Sequence, residues 1–150
     1  MNIITGNILD ITEGIICHQV NSRGVAGTGL AQQIRDRWPD WFTEYRRFTP
    51  TLSRLGGVHW YEVTSLQNRA QLSIASLLAQ DGYGRDKRYT NYAYLATALL
   101  NVEAQRTGEQ VYIPYKLGCG NGGGDWNIVQ QIIADAIPDA IIVKLPYNPQ

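Results

Sequence analysis

One pattern constrains this chain more than any other, and the chain uses it twice. An apolar run leads into a glycine-rich loop, which leads into an amphipathic segment. Ile15–Val20 runs into NSRGVAGTGL (residues 21–30), and Val111–Ile113 is followed by KLGCGNGGGDW (residues 116–126). Five of the nine residues from Gly118 to Trp126 are glycine. Each of these costs backbone entropy relative to alanine, so loops this rich in glycine need a reason. In both units the order predicts a strand, a loop and a helix.

The rest of the chain follows the same alternation. Ile3–Thr5 predicts a short strand, with a turn around Glu13 and Gly14 before Ile15–Val20. Leu30, Ile34 and Trp38 recur every four residues and predict one buried helical face, interrupted by Pro39. A second helix is expected over Asp40–Phe48. Val58–Thr64 alternates as a half-buried strand does, and Gln71–Leu78 reads as its hairpin partner, turning near Gln67–Asn68. Tyr92, Leu95, Leu99 and Val102 give the clearest helical spacing, and Trp126, Val129, Ile132 and Ile133 mark another helix. Ala140–Leu145 reads as a last buried strand. The pattern predicts an α/β fold with a largely parallel, buried sheet, as a single domain over residues 1–150.

Composition narrows the function. The chain carries 13 basic and 13 acidic residues, so a general attraction to nucleic acid or to membranes is not expected. No apolar run approaches the roughly 20 residues that span a bilayer, and the first residues lack a signal-peptide pattern. Cys17 and Cys119 therefore read as free thiols of a cytoplasmic protein. No His, Cys or Asp cluster has metal-ligand spacing, so neither a metal nor a cofactor is expected.

In open α/β sheets ligands bind beyond the carboxyl ends of the strands. A helix N-terminus there offers unpaired N–H groups and partial positive charge, which together hold phosphate. Glycine admits the backbone conformations of an anion-binding nest, so two such loops suit the two phosphates of one diphosphate. Neither loop matches GxxxxGK[ST], and residues 24–29 do not supply GxGxxG with a suitably spaced acid.

Four fragments in order, GNILDI, HQVNSRGVAGTGLAQQI, LLAQDGYG and IPYKLGCGNGGGDW, resemble a macrodomain over essentially the whole chain. The GCGxxGGxW form of the second loop resembles the branch holding ADP-ribose-1″-phosphate phosphatases and terminal ADP-ribose–protein glycohydrolases. The resemblance implies a three-layer α/β/α sandwich, with a mixed, largely parallel sheet and an ADP-ribose cleft at the strand ends. It implies a first phosphate loop at Gly27, Thr28, Gly29 and Leu30, and a second at Gly118, Cys119, Gly120, Asn121 and Gly122. It also implies Asn21 beside the distal ribose and Ile8 in the adenine pocket. Asn7 stands where many macrodomains carry an adenine-reading aspartate, which leaves open a ligand with another base. Gln80 and Gly122 stand where glycohydrolase members use lysine and aspartate, which argues against covalent glycohydrolase chemistry. His18 stands where phosphatase members have histidine.

The resulting expectation is a monomer that binds a small molecule, ADP-ribose or a derivative, and hydrolyses ADP-ribose-1″-phosphate. His18 would act on the attacking water, Asn21 would sit by the terminal phosphate, and Asp81 would orient or assist. Gln80 and Tyr83 would reach the same cleft, with Tyr115 and Lys116 bordering the diphosphate. Two alternatives stand beside this: a module that binds without turnover, and a hydrolase acting on ester-linked ADP-ribose. Asp125 is expected to cap the helix at Trp126. The cluster Arg85, Lys87 and Arg88 reads as solvated surface, and His59 has no assigned role.

Overall fold

Two strands with almost no exposed residue form the centre of the molecule, β2 (Gly14–Asn21) and β4 (Leu72–Gln80). Strands buried on both faces read as continuous apolar runs rather than alternations, which is how these segments look in the sequence. The computed structural model describes residues 1–49, 54–64 and 71–146. The expected turn near Gln67–Asn68 lies outside them. The other strands are β1 (Asn2–Thr5), β3 (Val58–Val63), β5 (Val111–Pro114) and β6 (Ile141–Lys144). The helices are α1 (Gly29–Arg37), α2 (Pro39–Phe48), α3 (Tyr92–Gln105) and α4 (Trp126–Ala136).

The six strands form one sheet in the order β1-β6-β5-β2-β4-β3. All neighbours are parallel except β3 and β4, which pair antiparallel as the hairpin reading predicts. One core cluster joins Cys17, Leu77, Leu95, Leu99 and Ile133 between the sheet and α3 and α4. A second joins Ile16, Ile34, Trp41, Tyr45 and Ile74 between the sheet and α1 and α2. The fold is therefore a mixed, mostly parallel sheet between two helical layers.

Local chemistry sets the element ends. Asp125 Oδ1 accepts the N–H of Asn127 at 2.8 Å and Asn91 Oδ1 accepts that of Tyr94 at 3.0 Å, capping α4 and α3. Pro39 opens α2 rather than only interrupting what precedes it, because a first-turn residue needs no amide donor. A short 3-10 turn, Ile8–Asp10, was not legible in the sequence; its cap is Asn7, whose Oδ1 accepts the Leu9 N–H at 3.0 Å.

The face of the sheet under α2 is tied down by a polar contact. The Trp41 indole N–H donates to Ser76 Oγ at 2.9 Å, and the same oxygen lies 2.6 Å from His18 Nε2. The His18 ring meets Trp41 edge-on at 5.1 Å, and Trp41 stacks on Tyr45 at 5.1 Å. His18 is 1% exposed, and burial pushes its pKa down to about 3. His59, on β3, is lowered by burial as well. An unfolded histidine takes a proton near pH 6.5, whereas folded His18 resists one until far lower pH. Stability is then complete above pH 6.5 and declines as pH falls toward 3. Urea titrations at pH 7.5 and pH 5 are expected to differ by on the order of 2 kcal/mol from His18 alone. Equal stability at the two values would show that His18 charges freely in the fold.

Candidate functional site

The carboxyl ends of β2, β4 and β5 meet at a cleft of about 670 Å³, between the loop before α1 and the loop after β5. A slip in the β2–β4 register between Val20 and Asn21 brings Asn21 opposite Gln80. Such a bulge re-aims the side chains at the strand end. A second cavity of about 520 Å³ adjoins the first and is lined by Asn7, Ile8, Gln33, Val143 and Lys144, among others. Leu30, Pro114 and Tyr115 line both.

Of the residues singled out from the sequence, the larger cleft is lined by His18, Asn21, Gly27, Thr28, Gly29, Leu30, Gln80, Tyr83, Gly118, Gly120, Asn121 and Gly122. Tyr115 and Lys116 line it as well. Asn7 and Ile8 belong to the adjoining cavity. Neither Asp81 nor Cys119 is part of either lining. Asp81 Oδ1 accepts the Ser22 hydroxyl at 3.0 Å, and the Cys119 thiol donates to the Leu117 carbonyl at 3.3 Å. Burial, followed by the charge of Asp125, raises the Cys119 pKa, which keeps it a thiol. Of the expected trio, His18 and Asn21 line the same cleft and Asp81 does not. His18 lies in the cleft floor as a neutral ring bonded to Ser76. Asn21 shapes the first loop: its Oδ1 accepts the N–H groups of Arg23 and Val25, and its Nδ2 donates to the Val25 carbonyl at 2.9 Å.

The two loops present backbone donors. Helix α1 has no side-chain cap, and the N–H groups of Gly29, Leu30 and Ala31 donate to no other described residue. In the second loop the N–H groups of Gly118, Gly120, Asn121 and Gly122 likewise have no acceptor among the described residues. The Asn121 Nδ2 donates across the cleft mouth to Thr28 Oγ1 at 2.6 Å, and Arg85 donates to Asn121 Oδ1 at 3.5 Å. Arg85 and Lys116 are the charged residues of the larger lining, which holds no carboxylate. Among the described residues no group of three His, Cys, Asp or Glu is placed to hold a metal ion. No helix among them is long and apolar enough to cross a membrane.

A polar network beneath the second loop was missed at the level of sequence. Gln19 Nε2 donates to Gln80 Oε1 at 2.6 Å and to Thr90 Oγ1 at 2.8 Å. The Thr90 hydroxyl donates to the Gly118 carbonyl at 2.7 Å, and the N–H groups of Tyr89 and Thr90 reach the Gly122 carbonyl. A polar residue inside the apolar run Ile15–Val20 was the available signal. The network walls in the loop glycines. Gly118 has φ +72°, and a Cβ on it would lie 2.7 Å from Gln19 Oε1. At Gly122 a Cβ would lie 2.3 Å from Thr90 Oγ1 and 2.8 Å from the Gly118 carbonyl. Position 122 therefore has no room for the aspartate that glycohydrolase members of the resembled branch use.

A Cβ on Gly120, by contrast, would meet nothing within 4 Å, and Gly120 has no positive φ. Gly122→Ala is accordingly expected to cost about 1–3 kcal/mol in chemical denaturation, and Gly120→Ala less than about 0.5 kcal/mol. Equal costs would show that Thr90 and Gln19 do not enclose position 122.

No family model matches the chain. It is similar to the DNA ADP-ribosyl glycohydrolase of Mycobacterium tuberculosis (strain ATCC 25618 / H37Rv), 27% identical over 152 residues and 95% of this chain. The chain spans about 41% of the length of that relative. Among solved structures it is similar to the macrodomain of Mycobacterium tuberculosis DarG, with TM-score 0.77, 25% identity and coverage of 98% of this chain and 97% of that one. It also matches Thermosipho africanus DarTG in complex with ADP-ribose, with TM-score 0.75, 19% identity and coverage of 99% of this chain and 42% of that one. The sheet order, the two helical layers and these likenesses agree: the chain has the macrodomain fold.

Proposed function

We propose that the chain binds ADP-ribose, its diphosphate between the two loops, its adenosine end in the cavity beside Asn7 and Ile8, and its distal ribose in the larger cleft. The observation that carries this reading is the set of free backbone donors at Gly29–Ala31 and at Gly118, Gly120, Asn121 and Gly122, all in residues that line one cleft. Free N–H groups at a helix start and in a glycine nest bind phosphate oxygens without needing an excess of basic residues. The chain's balanced charge is consistent with that arrangement. Asn7 Oδ1 already accepts from Leu9, so toward a base Asn7 offers mainly its amide N–H groups.

Hydrolysis at the distal ribose is the second reading, favoured by the likeness to DNA ADP-ribosyl glycohydrolases. Its substrate is ADP-ribose-1″-phosphate or an ADP-ribosylated acceptor. His18 is poorly suited to serve as the base, because a neutral ring bonded to Ser76 and pushed to a pKa of about 3 does not cycle a proton at neutral pH. Turnover in this cleft rests instead on orientation of the ligand and on backbone N–H groups.

Thermal unfolding with ADP-ribose tests the binding. A ligand at 100 times its Kd stabilises the folded state by about 2.7 kcal/mol, expected as a rise in Tm of roughly 5–10 °C. No rise with ADP-ribose, alongside a rise with a nucleoside diphosphate of another base, would overturn the adenine assignment. Phosphate release from ADP-ribose-1″-phosphate, and ADP-ribose release from modified DNA, measured on the same protein, separate turnover from binding alone.

A further inference from the structure

The two cavities meet at Tyr115, which lines both. Lys116 lines the larger cavity and Lys144, at the end of β6, lines the smaller. Both ammonium groups gather on the same aromatic ring: Lys116 Nζ lies 5.7 Å from the Tyr115 ring centroid and Lys144 Nζ lies 4.5 Å from it. Tyr115 is itself held in place by an edge-on contact with Trp126 at 5.1 Å. Neither lysine is ion-paired among the described residues, where the ion pairs centre on Arg106.

The backbone singles out Lys116 a second time. It is the third residue of a turn closed by the Leu117 N–H on the Pro114 carbonyl at 3.1 Å, and its φ is +61°. It is the one non-glycine residue with positive φ among those described. Glycine suits that turn position without strain, whereas lysine does not. In a chain so free with glycine in this loop, a lysine kept at a position that favours glycine points to a task for its side chain.

We infer that Lys116 and Lys144, gathered on Tyr115, form a cationic node for the anionic linker of a ligand that spans both cavities. This rests on the ADP-ribose reading for the identity of the ligand, and on geometry alone for the charge of the group received. A molecule filling both cavities must pass the Tyr115 junction with its connecting segment. For a dinucleotide-like sugar diphosphate, that segment is the diphosphate. The backbone donors of the loops fix the orientation of the oxygens, and the two ammonium groups at the Tyr115 junction add compact charge.

Calorimetry on the whole chain tests this with ADP-ribose, adenosine and inorganic pyrophosphate, using wild type, Lys116→Gly and Lys144→Met. Each substitution is expected to weaken ADP-ribose and pyrophosphate roughly five- to tenfold, and Lys116→Gly, outside the adenosine cavity, to leave adenosine unchanged. Raising salt is expected to weaken ADP-ribose binding to wild type more than to either variant. The Tm of Lys116→Gly is expected to equal or exceed that of wild type, since the turn is relieved. Unchanged ADP-ribose affinity in both variants would overturn the node while leaving the ADP-ribose reading intact. Equal losses for ADP-ribose and adenosine would overturn it too, by showing a structural role. A wild type that binds pyrophosphate through the lysines but not ADP-ribose would overturn the ligand reading and keep the node.

Discussion

The shape of the cleft depends on the hydrogen bond from the Thr90 hydroxyl to the Gly118 carbonyl. Gln19 holds Thr90 from below, and the backbone of Tyr89 and Thr90 grips the Gly122 carbonyl from the side. With its carbonyls engaged in this way, the loop keeps the N–H groups of Gly118, Gly120, Asn121 and Gly122 free. Gly122 is buried and Gly118 half-buried, and backbone groups so placed are normally paired, so their free N–H groups on one wall of the cleft are a built feature. The open N-terminus of α1 supplies the same chemistry on the facing wall.

The two faces of the sheet are specialised. On the α3 and α4 side the polar network of Gln19, Gln80 and Thr90 supports the second glycine loop. On the α1 and α2 side the contact among His18, Ser76 and Trp41 joins a helix to the sheet. Alternation along β2 puts His18 and Gln19 on opposite faces. One face thus supports the second loop, and the other seals the histidine beneath the cleft.

Much of this was legible in the residues, and the reasons for the exceptions are physical. The two strand–loop–helix units, the β3–β4 hairpin pairing and the Asp125 cap follow from periodicity and cap chemistry, which are local. The 3-10 turn after Asn7 is only three residues long, too short for any period to register. Asp81 follows β4 directly, and only the fold reveals that Ser22 takes its carboxylate. The environment of His18 is likewise non-local, because Trp41 and Ser76 come from distant parts of the chain. Gly122 read in sequence as the loss of a side chain. The structure gives it a positive reason, since Thr90 and the Gly118 carbonyl occupy the space. The Tyr115 junction joins residues at the ends of β5 and β6 that no motif connects.

In the proposed binding mode the ligand is held by backbone N–H groups of two loops at once. Amide hydrogen exchange with and without ADP-ribose measures it residue by residue. Slowed exchange is expected at Gly29–Ala31 and at Gly118, Gly120, Asn121 and Gly122 together, in both loops and at the same ligand concentration. Binding that leaves either loop's amides exchanging as in the free protein would contradict it.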